Sequence, residues 1–125
     1  GLISVVVQDY QYAGGAHGNT RQTAYSISLD SGHQYTLADW FRDDADYVSV
    51  LSAKVKEQLA ERELTESLFE PFEGIDPNQS YYISNLGLTV YFQQYDILPY
   101  AAGIQEFTAG FADLKNLLKD PEIFR

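Results

Sequence analysis

Apolar residues along this chain follow two different periods. From Leu2 to Tyr12 the run is rich in Val, Ile and Tyr, and Val5, Val7 and either Tyr10 or Tyr12 are placed to share one buried side, which predicts a strand. In "TRQTAYSISLD", Thr20 to Asp30, the residues Tyr25, Ile27 and Leu29 alternate with Ser26, Ser28 and Asp30, the period of a half-buried strand. The two are expected to pair as a hairpin. A second turn at Ser31 and Gly32 leads to Thr36, with Asp39 three residues on; this resembles a capping box with Asp in place of Glu and predicts a short helical turn through Trp40 and Phe41.

At about Asp44 the period changes. As far as Glu63, Val48, Leu51, Val55 and Leu59 recur at spacings of three and four while the charges fall largely elsewhere, predicting an amphipathic helix. "EPFEGIDPNQS" reads as a connecting loop. "YYISNLGLTVYF" splits into two strands around Asn85 to Gly87, the second with Leu88, Val90 and Phe92 on one side. "QQYDILPYAAG" reads as a structured loop and "IQEFTA" as a further strand. "FADLKNLL" reads as a closing helix with Phe111, Leu114 and Leu118 on one face, ended by Asp120 and Pro121. This order predicts an α+β domain, an antiparallel β-sheet with one long helix and a short C-terminal helix packed on one face.

Composition narrows the class. A chain of 125 residues that is 45% apolar and 14% aromatic has enough apolar surface to offset the entropy of ordering, so residues 1–125 are expected to form one domain. No apolar run approaches the roughly 18 residues of a membrane span. The opening lacks the basic start and cleavage site of a signal peptide, so any targeting segment is expected outside this chain. Beginning directly in a strand suggests an excised piece of a longer protein. The formal charge of −10 repels phosphate backbones and anionic lipid and attracts basic partners, which argues against nucleic acid as a ligand. Cys and Met are both absent, so there is no disulfide, thiolate nucleophile or Cys-based metal site. That composition suits an exposed envelope domain.

The candidate chemistry centres on two stretches. In "YQYAGGAHGNT", Tyr10 to Thr20, a phosphate loop would require a following helix, and a strand is predicted there instead. His17 and His33 are the only histidines, and although Asp9, Asp30 or Asp96 would complete a ligand set, no H-x-x-x-H spacing supports one. The simpler expectation is a tight turn in which Gly14, Gly15 and Gly18 supply positive φ or close chain approach and His17 is structural. The second stretch is tyrosine-rich: Tyr81, Tyr82, Tyr91, Tyr95 and Tyr100 lie in a region with few charges. Two readings stay open for them, packing over a sheet edge or a ligand-contacting loop formed by Tyr95, Asp96, Pro99 and Tyr100. No G-x-S-x-G elbow or distinct carboxylate pair marks a catalytic constellation, and no cofactor is expected.

"YQYAGGAHGNT" followed by "YSISLDSGHQYTLADWF", and later "LGLTVYFQQYDILPYAAGIQEFTAGFADLKNLL", resemble in order and spacing the signature of RsiV-type domains over nearly the whole chain. Departures are Ala13 where Thr is common, Ser31 where Thr precedes the turn glycine, and Trp40 where Leu precedes Phe41. The resemblance implies a bacterial extracytoplasmic domain, of the kind that forms the outer part of RsiV anti-sigma factors and a non-catalytic region of the deacetylase PdaC. RsiV ectodomains bind lysozyme, which triggers their proteolysis and release of a sigma factor; other members are lipoproteins or envelope proteins. For this chain it implies a non-catalytic binding or sensor domain, the C-terminal part of a longer envelope protein anchored through a segment outside these residues. The implied partner is a cationic envelope protein such as lysozyme. The alternative is an accessory module for cell-wall glycan, peptidoglycan, with exposed tyrosines and Trp40 stacking on sugar rings.

Overall fold

A computed structural model describes residues 1–12, 14–15 and 18–123. Strands β1 (Leu2–Gln11) and β2 (Asn19–Ser28) pair antiparallel along their whole length, with Leu2 opposite Ser28 and Gln11 opposite Asn19, and form a long two-stranded ribbon. Helix α1 (Tyr47–Glu61) follows a single 3-10 turn at Leu37–Trp40. Strands β3 (Tyr81–Ser84), β4 (Gly87–Phe92) and β5 (Gln105–Ala109) make a second antiparallel sheet in the order β3-β4-β5, and a one-turn helix α2 (Phe111–Leu114) closes the fold. The class is α+β with antiparallel pairing, as the periodicity predicts, but the strands divide between two sheets.

The apolar stripe of α1 explains its place. Leu51, Val55 and Leu59 are fully buried and meet Leu88, Val90, Phe92 and Phe107 in one core. Asp46 starts the helix by accepting the Ser49 N–H at 3.1 Å through Oδ1, so the helix begins at Tyr47, about three residues later than the pattern suggests. Its far end is fastened to β5: Gln58 Nε2 donates to Thr108 O at 2.9 Å, and Arg62 donates to Glu106 O at 2.8 Å with its guanidinium over the Phe107 ring. Gly87 sits at φ +150°, and a Cβ there would run into the Ala109 carbonyl, so β4 and β5 approach as closely as they do only with glycine at that position.

Every residue of β4 is buried, because α1 covers one side of the sheet and the ribbon covers the other. That second side is polar. The Thr89 and Thr108 hydroxyls lie 2.7 Å apart, and Gln22 Nε2 from β2 reaches Glu106 Oε2 at 3.4 Å. This settles which way the ribbon faces, and the answer is opposite to the expected one. Gln22 and Ser26 are buried, while Tyr25 is 39% and Leu29 65% exposed, and Val5, Val7, Tyr10 and Tyr12 all face solvent. Register places Ile3, Val5 and Val7 opposite Ile27, Tyr25 and Thr23 on the outward face. On the inward face Gln8 Nε2 donates to Gln22 Oε1 at 2.8 Å and Ser4 Oγ accepts the Ile83 N–H at the open edge of β3, while the buried Ser26 Oγ is left without a hydrogen-bond partner among the described residues.

A second correction concerns the C-terminus. The helix expected through Leu118 stops after one turn at Leu114, and the chain then bridges back to Phe41. Arg42 N–H donates to Leu117 O at 2.9 Å and Lys119 N–H to Trp40 O at 3.0 Å. The backbone at 40–42, leaving the 3-10 turn through the extended Phe41, thus offers the segment interstrand-type bonds that a helix would forgo, and Leu118 is buried from that geometry instead.

The turn before α1 forms as expected, with Thr36 N–H donating to Asp39 Oδ2 at 2.8 Å. That bond, with His33 Nε2 at 3.4 Å, holds the Asp39 carboxyl below the usual carboxylate range against a smaller opposing effect of burial. A carboxyl depressed in the folded state stabilises above its unfolded pKa, and the contribution is lost as pH falls through the folded one. The stability gap between the native chain and Asp39→Asn is therefore expected to be full at pH 6 and to shrink steadily below the reference value of 3.8, as read by urea unfolding at a series of pH values. Ribbon orientation is checked separately. Gln22→Ala is expected to lower unfolding free energy by about 1–3 kcal/mol because it strands buried partners, while Val7→Lys on the outward face changes it by less than about 1 kcal/mol.

Candidate binding surface

Two parts of the chain far apart in sequence meet at the distal end of the ribbon. After β4 the backbone leaves the sheet, and the side chains of Gln93 and Gln94 take over the work of a neighbouring strand. Gln93 Oε1 accepts the Gln22 N–H at 2.9 Å, Gln94 Oε1 accepts the Thr20 N–H at 2.8 Å, and Gln93 Nε2 donates back to Gln22 O at 2.5 Å. At Thr20 and Gln22 the open edge of β2 is thereby bonded without a further strand.

The loop itself is a built turn. Asp96 N–H donates to Gln93 O at 3.1 Å, and Asp96 Oδ2 accepts the Gln93 N–H at 2.8 Å. Between them Tyr95 adopts φ +70°, a left-handed conformation that a non-glycine residue holds at a cost of roughly 1–3 kcal/mol when its surroundings impose it. Pro99 leads into a 3-10 turn at Tyr100–Ala102, and the Tyr100 hydroxyl donates to Gly18 O at 2.7 Å. The Tyr95 and Tyr100 rings stand 5.7 Å apart. On the hairpin side, Tyr12 OH donates to Gly15 O at 2.9 Å and Gly14 takes φ +91°. Gly18 is buried, and a Cβ there would collide with the Tyr10 ring.

A groove of about 370 Å³ lies along this junction, lined by Asp9, Gln11, Asn19, Arg21, Gln94 and Tyr95 among others. Asp9 and Arg21 face each other across the ribbon. The groove offers one carboxylate, one guanidinium, several amides and a half-exposed phenol, a set suited to hydrogen-bonding a polar or charged group.

The residues named from sequence separate accordingly. Tyr95 is 49% exposed and Tyr100 half-buried, and both belong to this surface. Asp96 and Pro99 shape the turn that presents them. Gly14, Gly15 and Gly18 form the hairpin end, while His17 lies outside the described residues. Tyr81 and Tyr91 are core residues whose burial pushes their phenols up, so they act as neutral hydrogen-bonding groups. Trp40 is 3% exposed with Nε1 donating to Tyr81 OH at 2.8 Å, so it is closed to the sugar stacking expected of it. Asp30 pairs with the N-terminus and His33 with Asp39; among the described residues no three His, Cys, Asp or Glu side chains converge as a metal site. Gln93, Gln94 and Arg21 were not anticipated, and Asp9 was named only as a conceivable metal ligand, because their places at this surface arise from long-range pairing that leaves no periodic trace.

An α+β domain with a long hairpin laid across a three-stranded sheet, and a polar surface where hairpin and loop join, is the class that this geometry defines. Residues 38–111 match the family described as a protein of unknown function, DUF3298, and the chain belongs to that family. It is 33% identical over 113 residues to the anti-sigma-V factor RsiV of Bacillus subtilis, covering 82% of this chain and 39% of RsiV. It is 26% identical over 128 residues to the peptidoglycan-N-acetylmuramic acid deacetylase PdaC of the same organism, covering 97% of this chain and 27% of PdaC. The crystal structure of a DUF3298 family member from Bacteroides fragilis superposes with a TM-score of 0.76 at 23% identity, over 98% of this chain and 51% of that one. The chain thus spans well under half the length of these curated relatives. Among the described residues no helix is long and apolar enough to cross a membrane.

Tyr100→Phe tests the junction. Losing the bond to Gly18 O is expected to cost about 0.5–1.5 kcal/mol and to speed amide exchange at Gly18 to Thr20 while the core helix stays protected, as read by hydrogen exchange.

Proposed function

We propose that this chain is a non-catalytic binding or sensor module of a bacterial envelope protein, and that it recognises a cationic protein of the lysozyme kind through the surface joining hairpin and loop. The observation that carries the reading is Tyr95, held half-exposed in a left-handed conformation beside the Asp9–Arg21 groove by a turn closed at Asp96. A strained residue kept at the rim of a polar groove on an anchored loop is a feature typical of recognition sites. The charge of −10 supports a basic partner by favouring encounter, and the kinship with RsiV supports a signalling context.

The same module is proposed to be one part of a longer envelope polypeptide, the rest of which carries the anchor. Its relatives are two to four times longer, and the outward ribbon face of Ile3, Val5, Val7, Tyr25 and Leu29 is more apolar than a free surface requires. A second reading, an accessory peptidoglycan-binding module, is favoured by the exposed Tyr10, Tyr12 and Tyr95 rings, which are available to stack on sugars, and by the kinship with PdaC.

Calorimetric titration with a cationic lysozyme at low and moderate salt, beside a polycation of matched charge, discriminates these readings. One-to-one binding that survives moderate salt, is absent with the polycation and weakens at least tenfold in Tyr95→Ala is expected for the first. Binding matched by the polycation, together with salt-insensitive binding of muropeptide fragments, would replace it with the second.

A further inference from the structure

A second groove lies away from the hairpin end, between the C-terminal half of α1 and the strap that follows it. Its volume is about 550 Å³ and its lining is mainly apolar, including Leu59, Ala60, Leu68, Phe69, Pro71 and Phe72. The strap is held at both ends. Phe69 N–H donates to Ile97 O at 3.1 Å, the Phe72 ring meets Phe92 edge-on, and further along Ile75 N–H donates to Ser52 Oγ at 2.9 Å. Despite that anchoring, the Phe69 side chain is left 56% exposed. An aromatic ring displayed on a pre-formed wall presents apolar area without an ordering cost at the moment of binding.

Charge identifies what fits. Between Glu61 and Glu73 the chain carries Glu61, Glu63, Glu66, Glu70 and Glu73, all exposed, against the single cation Arg62. Arg62 is committed elsewhere, to Glu106 O and the face of Phe107; Glu70 and Lys56 are the charged residues that line the groove itself, and Glu66 lies on the same strap. An apolar floor bordered by this acidic segment disfavours a second copy of the −10 chain and anionic lipid alike. A purely polar polycation would leave the floor unfilled.

We infer that this groove docks a basic amphipathic segment of a partner protein, apolar side chains seated against Phe69, Leu68 and Leu59 with flanking Lys or Arg facing the glutamates. It is a surface distinct from the one at the hairpin end and does not depend on that reading.

The probe is a Leu/Lys amphipathic helical peptide of about 18 residues, long enough to present several turns along one face. Controls are the same composition with leucines scattered round the helix, poly-lysine of equal charge, and a Leu/Glu version. Binding to the 125-residue chain is followed by fluorescence anisotropy at moderate salt, with circular dichroism confirming the fold of each variant. The amphipathic basic peptide is expected to bind at least tenfold more tightly than any control. Phe69→Ala and the double variant Glu66→Lys/Glu70→Lys are each expected to weaken it several-fold, with Tyr95→Ala without effect. Equal binding of poly-lysine or of the Leu/Glu peptide would overturn the inference. So would full affinity in Phe69→Ala, or loss confined to Tyr95→Ala, which would move the peptide to the hairpin end. Self-association of the chain that Phe69→Ala abolishes would assign the groove to a second copy instead.

Discussion

The fold depends on a buried amide. Gln22 joins three bodies that would otherwise be separate: its side chain holds Gln8 across the ribbon and reaches Glu106 on the sheet, and its backbone N–H and carbonyl are both bonded by Gln93 from the loop after β4. A buried polar group is stable only when satisfied, and this one is satisfied by partners from both sheets and the connecting loop. The ribbon therefore sits in a single orientation, with its direction set by hydrogen bonds more than by apolar burial.

That constraint accounts for the distribution of surfaces. Because β2 turns its amides and hydroxyls inward, Ile3, Val5, Val7 and Tyr25 are turned outward, where further polypeptide can cover them. The same pairing brings the loop at Gln93 to the ribbon and presents Tyr95 beside Asp9 and Arg21. The apolar core lies on the opposite side of the sheet, where α1 packs by an ordinary helical stripe, and the acidic strap leaves that helix with its own groove. The proposed recognition surfaces thus lie at two places where the backbone leaves regular structure under firm local anchoring, the loop after β4 and the strap after α1.

Much of the architecture was legible because it rests on local periodicity and turn chemistry. The stripe of Leu51, Val55 and Leu59 specified α1, the alternation on either side of Asn85 specified the β3–β4 hairpin, and Thr36 with Asp39 specified the turn through Trp40. The glycines at the hairpin end and the tyrosines of the loop were also visible as unusual local composition, so the neighbourhood of the candidate site could be named in advance.

What the sequence alone determined was which residues share a face. Which face lies inside was a tertiary decision: Tyr25 and Leu29 look like core by alternation, yet Gln22 and Ser26 occupy it, since alternation marks two unlike sides without stating which finds the better partners. The closing helix shows the same limit, for the backbone at 40–42 captured the segment from Leu117 to Lys119, including the Leu118 that helical spacing had claimed. Likewise Trp40 became core, and Gln93 and Gln94 became the link to β2, through contacts between residues dozens of positions apart. Local pattern determined the elements, and only the pairing of polar groups across the assembled fold decided how they are oriented and where the proposed binding surfaces lie.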